Sequence, residues 1–204
     1  MKLHLTLCSL LLISVVTANA QVGVKDNKAV RASYLSLDGQ RLSKAATPAS
    51  DGNVHYVVKP LLLLLLTKSL SPKGTLLLIP GGGYETIRMK NEGLKAAAFL
   101  NQQNFDVALL EYRVGKTPAV RDSALVDALK AYRLLKTGRE TYGLRGDRLD
   151  IMGISSGGHL AARAVQRLGA NEQPDNMALI SPSYLNETSI GTVVPAVTHP
   201  LNPT

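Results

Sequence analysis

Leu149-Asp150-Ile151-Met152-Gly153-Ile154-Ser155-Ser156-Gly157 decides the fold of this chain. The run from Arg148 to Ile154 has the length and apolar content of a buried strand, and Ser156 to Leu168 reads as a helix ending at Gly169. Between them stands Gly153-x-Ser155-x-Gly157, with no residues to spare for a loop. A strand-to-helix turn this sharp forces its middle residue into a strained backbone conformation, and only small neighbours leave it room. The serine hydroxyl then stands exposed above the sheet, at a helix N-terminus whose dipole favours developing negative charge. Read this way the motif is a nucleophile elbow, and Ser155 is the candidate catalytic residue. The bland alternative is a phosphate-binding turn. A dinucleotide site wants G-x-G-x-x-G at the first strand–helix junction, and a P-loop wants Lys after its last Gly; here His159 follows Gly157-Gly158.

Working outward, apolar runs of strand length alternate with helical patterns. Leu61 to Leu66 and Thr75 to Ile79 suit strands buried on both faces, as does Asp106 to Tyr112, and Met177 to Ser181 reads as a further strand. Glu85 to Gln102 reads as a helix with Leu94, Ala97 and Ala98 on one face. Pro118 to Thr137 is helical through Ala124, Ala128, Ala131 and Leu135, with Gly138 as its stop. Ala29 to Leu37 is a candidate edge strand and Ala45 to Asn53 a loop. This alternation predicts an α/β fold, a mostly parallel sheet with helices on both faces.

Pro80-Gly81-Gly82-Gly83-Tyr84 follows the strand that ends at Ile79. Consecutive glycines cost conformational entropy, so a loop keeps them where backbone must approach something closely. Acyl transfer needs backbone N–H donors aimed at a carbonyl oxygen as it becomes an oxyanion. Gly82, Gly83 and Ser156, the residue after the nucleophile, are the candidate oxyanion-hole donors. A flexible connector is the other reading of three glycines alone.

From about Leu76 to Tyr184 the chain resembles the secreted α/β-hydrolase esterases of the acetylxylan-esterase and hormone-sensitive-lipase-like group. The matching stretches are Ile79–Tyr84, Leu110–Val114, Gly153–Ala161 and Ala178–Pro182. Pro80 stands where lipase-type members carry His, which resembles the carbohydrate-esterase branch. The resemblance implies an α/β-hydrolase fold and a serine carboxylic-ester hydrolase. The implied substrate is a small-molecule or polysaccharide acyl ester, acetyl foremost, and no cofactor is implied. A general carboxylesterase or peptidase on the same fold, and a non-catalytic domain that keeps the elbow, remain alternatives. The family carries His at position 159 as a structural residue.

A serine nucleophile needs a base and an orienting carboxylate, in the order Ser, Asp, His for this fold. After Ser155 the chain holds one aspartate, Asp175, and two histidines, His159 and His199. Asp175 precedes the strand Met177–Ser181, on the wrong side of the sheet. Glu187 lies on the right side but early, and His199 sits in a proline-punctuated loop. The chain is therefore expected to be C-terminally truncated, lacking the last strand–helix units together with the triad acid and base. No metal is expected either, since His55, His159 and His199 are too scattered for a ligand set.

At the other end, Lys2, the apolar stretch through Val16 and Ala18-Asn19-Ala20 form a secretory signal peptide, residues 1–20, cleaved before Gln21. Residues 21–204 are then one incomplete domain, secreted or periplasmic, with no stable membrane insertion and without Cys8. Composition agrees with one globular domain. Of 204 residues 45% are apolar and 19% charged, which excludes disorder, and a lone cysteine excludes a disulfide scaffold. Aromatic residues at 4% argue against stacking platforms for sugars or single strands. Lys and Arg outnumber Asp and Glu 23 to 15 but are scattered, so no nucleic-acid partner is expected.

Overall fold

Apolar runs too long to face water on either side become the centre of a sheet. The computed structural model describes residues 31–43 and 48–184. Its strands in chain order are β1 (Arg31–Ser36), β2 (Arg41–Leu42), β3 (Leu61–Leu66), β4 (Thr75–Ile79), β5 (Asp106–Glu111), β6 (Leu149–Ile154) and β7 (Met177–Ile180). They form one mixed sheet in the order β2-β1-β3-β5-β4-β6-β7. The strands β5, β4, β6 and β7 run parallel, while β1 and β3 join antiparallel through the pairing of Leu61 with Glu111. All of β4 and β5 is buried, as is β3 up to Leu65, which is why these strands read as unbroken apolar runs.

Four helices connect the parallel strands: α1 (Ala96–Gln102), α2 (Val120–Thr137), the single turn α3 (Arg139–Tyr142) and α4 (Ser156–Arg167). Ala124, Ala128, Ala131 and Leu135 of α2 are fully buried, and α2 packs against α4. The step β4–α1–β5 runs toward one edge of the sheet, and β5–α2–β6 then crosses back over β4. With right-handed crossovers, α1 lies on one face and α2 and α4 on the other. The direction reverses at β4, so a crevice opens at its carboxyl end, where sheets of this kind place their ligands.

Two expectations need correction. The helix predicted over 85–102 starts later: residues 85–88 form a turn whose Ile87 exchanges backbone hydrogen bonds with Val54, and Met89–Lys95 is a π-helical stretch leading into α1. Non-local pairing outbids the helical pattern there. The first strand covers 31–36 and is not the edge, because β2 pairs outside it. The leader 1–20, positions 45–47 of the expected loop, Glu187 and His199 lie outside the described residues.

Candidate active site

The elbow forms where β6 gives way to α4 at a single residue. Ser155 has φ +53° and ψ −125°, a region that side chains avoid, and it is partly exposed. The flanking glycines are dictated by distance. A Cβ on Gly153 would lie 2.3 Å from the carbonyl oxygen of Gly157, and one on Gly157 would lie 2.2 Å from that of Ile79. Backbone clamps hold the turn: the Ser155 N–H donates to Ile180 O at 2.9 Å, and Ser155 O accepts from Gly158 at 2.9 Å and Ser183 at 3.1 Å. Ser155 Oγ lies 3.2 Å from Ser183 Oγ.

Ile79 and Gly153 are register partners, so the glycine loop leaves β4 directly beside the elbow. The loop is tethered along its length. Buried Tyr112 donates its hydroxyl to Pro80 O at 2.8 Å, and burial pushes that phenol's pKa upward. The Gly81 N–H donates to Glu92 Oε2 at 2.8 Å, while Gly82 O accepts from the amides of Glu85 and Thr86. Gly83 departs from expectation: its N–H donates to Ser156 Oγ at 2.9 Å, so in this arrangement it straps the loop to the elbow. Among the described residues the Gly82 N–H has no acceptor, and the Ser156 N–H, at the start of α4, lacks an intrahelical one.

Ser155, Gly82 and Gly83 line a cleft of about 470 Å³. Asp51, Asn53, Thr86, Arg88 and Asn91 complete its wall among the described residues. This wall escaped the sequence reading. It exists because residues 49–55 dock on the segment after the glycine loop, through Val54 with Ile87 and through the Lys90 N–H on Gly52 O at 2.9 Å. Glu92 and Ser183 were missed for the same reason: nothing local marks them. Glu111, at the carboxyl end of β5, is buried, and desolvation raises its carboxyl pKa to about 7.

His159 is buried in α4 with Nδ1 2.8 Å from the Tyr84 hydroxyl, which makes it part of the packing. Asp175 accepts from the N–H of Leu149 at 2.7 Å, at the opposite end of β6 from Ser155. Neither can serve the elbow as base or orienting acid. No group of three or more His, Cys, Asp or Glu suited to a metal occurs among the described residues. No helix among them is long and apolar enough to cross a membrane.

A family model described as BD-FAE matches residues 63–197. An acetylxylan esterase of Xylanibacter ruminicola is 29% identical over 84 residues, which is 41% of this chain and 17% of that protein. A sugar hydrolase from Lactococcus lactis superposes with a TM-score of 0.52 at 22% identity, covering 64% of this chain and 52% of its own. An α/β hydrolase from a Medee basin deep-sea metagenome gives 0.55 at 20% identity, over 82% of this chain and 62% of its own. The two superpositions show a shared α/β-hydrolase fold. The chain spans less than two thirds of each of these proteins.

Proposed function

The chain belongs to the BD-FAE family, and from that premise we propose that it is a serine carboxylic-ester hydrolase that removes acyl groups, acetyl foremost, from carbohydrates outside the cytoplasm. One observation carries the reading: Ser155 sits at positive φ on the join of β6 and α4 and shares a cleft with Gly82 and Gly83 of the glycine loop. The acetylxylan esterase relative supports the choice of acyl group and sugar.

In this reading Ser155 Oγ attacks the ester carbonyl carbon. The carbonyl oxygen gains negative charge between the N–H groups of Gly82 and Ser156, a donor pair of the kind whose single members are worth ~3 kcal/mol of transition-state stabilisation. Collapse expels the alcohol and leaves acyl-Ser155, which water cleaves to the free acid. The Ser155 proton needs a base that takes it up and passes it to the departing alcohol, and among the described residues the hydrogen-bond partner of Ser155 Oγ is the Ser183 hydroxyl.

A second reading, a non-catalytic domain that keeps the elbow, draws on the fact that among the described residues the hydrogen-bond partner of Ser155 Oγ is a hydroxyl, Ser183, and not a base. Fluorophosphonate labelling separates the two. The esterase reading expects covalent labelling that disappears in Ser155→Ala, with release of acetate from acetylated xylan and 4-nitrophenyl acetate. Absent labelling, or faster cleavage of a dipeptide amide than of either ester, overturns it.

A further inference from the structure

We propose that the wall formed by Asp51, Asn53 and Asn91 is the subsite for the alcohol part of the ester, and that it takes a neutral sugar ring through hydrogen bonds to neighbouring hydroxyls. The inference rests on the esterase reading and names its leaving group.

Among the described residues, the cleft that Ser155 lines is bounded by polar side chains and glycine alone. An alkyl chain would find no apolar partner there, whereas a polyol would find acceptors and donors side by side. A sugar hydroxyl both donates and accepts, so it needs such a mixed wall. Asp51 supplies the acceptor. Its Oδ1 takes the Asn53 N–H at 2.9 Å, and its Oδ2 takes Asn53 Nδ2 at 3.0 Å and lies 2.8 Å from His55 Nε2. The Asn53 backbone bond, then His55, hold the carboxyl below its ordinary range, so it is ionised. A carboxylate has about four acceptor positions, and three are filled. The fourth is left for a ligand.

Asn53 gives one amide N–H to Asp51 and keeps its second N–H and its carbonyl oxygen. Asn91 has no partner among the described residues, so its whole amide is available. It projects from the π-helical stretch 89–95, where the Gly93 N–H reaches back five residues to Arg88 O at 3.2 Å. Such wide turns recur at functional sites.

The wall is also set before a ligand arrives. The turn at 49–53 is closed by Ala49 with Asn53 and by Gly52 with Ala49, and it is fixed to Lys90 and Ile87. Groups ordered in advance need not be ordered on binding. The charges balance, one carboxylate at Asp51 against one guanidinium at Arg88, which itself lies 3.7 Å from Glu92. With these lining charges balanced an anionic uronate gains nothing over a neutral ring, whose hydroxyls suit Asp51, Asn53 and Asn91.

Isothermal titration calorimetry of the full chain with xylotriose tests this, with trigalacturonic acid as the anionic arm. The expected result is saturable binding of xylotriose, weakened about tenfold in Asn91→Ala and in Asp51→Ala, and unchanged in Gln102→Ala at the far end of the sheet. Among the described residues the Asn91 side chain makes no hydrogen bond, and circular dichroism confirms that each variant is folded. Absence of saturable heat, xylotriose affinities unchanged in Asn91→Ala, or tighter binding of trigalacturonic acid overturns the subsite. Fluorophosphonate labelling of the same samples keeps the two readings apart: labelling without sugar binding defeats the subsite alone, and sugar binding without labelling defeats the esterase reading while the sugar site stands.

Discussion

A methyl group at Gly157 probes the elbow directly. Built on the existing backbone it would sit 2.2 Å from Ile79 O and 2.6 Å from Pro80 O, where ordinary contact begins at 3.4 Å. Either α4 or the end of β4 must withdraw by about 1 Å. Neither is free to do so, because β4 is paired on both sides and the elbow is bonded to Ile180 and Ser183. Overpacking costs ~1–3 kcal/mol, and with backbone on both sides of the clash the upper end applies. At this chain length each kcal/mol lowers the melting temperature by ~2–4 °C, so Gly157→Ala should fall by ~6–12 °C. Gly83→Ala is the comparison. Its methyl would meet only the Tyr184 hydroxyl at 3.9 Å, leaving the cost of φ +68°, ~1–2 kcal/mol. Thermal denaturation followed by circular dichroism reads both. A Gly157→Ala protein melting within about 2 °C of the parent, or no lower than Gly83→Ala, would refute the steric account of the motif.

Ser156→Ala keeps the backbone donor at 156 but removes the acceptor for the Gly83 N–H; a loss of ~0.5–1.5 kcal/mol is expected, with faster amide exchange at Gly83, and unchanged exchange there would count against the strap. Glu111 carries a pH prediction. Because its folded pKa is raised from 4.5 to about 7, the folded chain keeps a proton that the unfolded chain releases, so this contribution is full below about pH 4.5 and lost as pH rises through 7. Glu111→Gln should therefore leave the stability in chemical denaturation unchanged near pH 4 and raise it near pH 8, by up to about 3 kcal/mol; equal changes at both pH values would contradict the burial argument. Arg113→Ala strips the guanidinium from Asp127, whose side chain is 2% exposed, and should cost ~2–3 kcal/mol in chemical denaturation after allowance for the half-exposed Arg113; an unchanged midpoint would show that the pair adds nothing.

The central strands were legible because β3 to β6 are largely buried, and a near-continuous Leu, Ile and Val run has few other uses. The alanine spacing in α2 marked its buried face for the same reason. Residues 85–88 were misread because a helical pattern is local, whereas the bridge from Ile87 to Val54 joins segments that the pattern does not see. The amide of Gly83 shows the same limit at the site. A sequence can count N–H donors beside a nucleophile, but it cannot show that a hydroxyl 73 positions away takes one of them. Asp51 and Asn53 fall in a stretch that reads as ordinary loop, since their bonds to each other and to His55 matter only once the turn is docked on Lys90. Asp175 was correctly set aside from strand direction alone, a case where topology is written in the order of the elements.

The bond between Gly83 and Ser156 also sets a schedule. The two residues leave the ribosome 73 positions apart, so at ~5–20 residues per second the first waits about 4–15 s for the second. Ser183, which clamps the elbow from the other side, emerges later still. The elbow and its strap are therefore complete only once residues as far as Ser183 have been made.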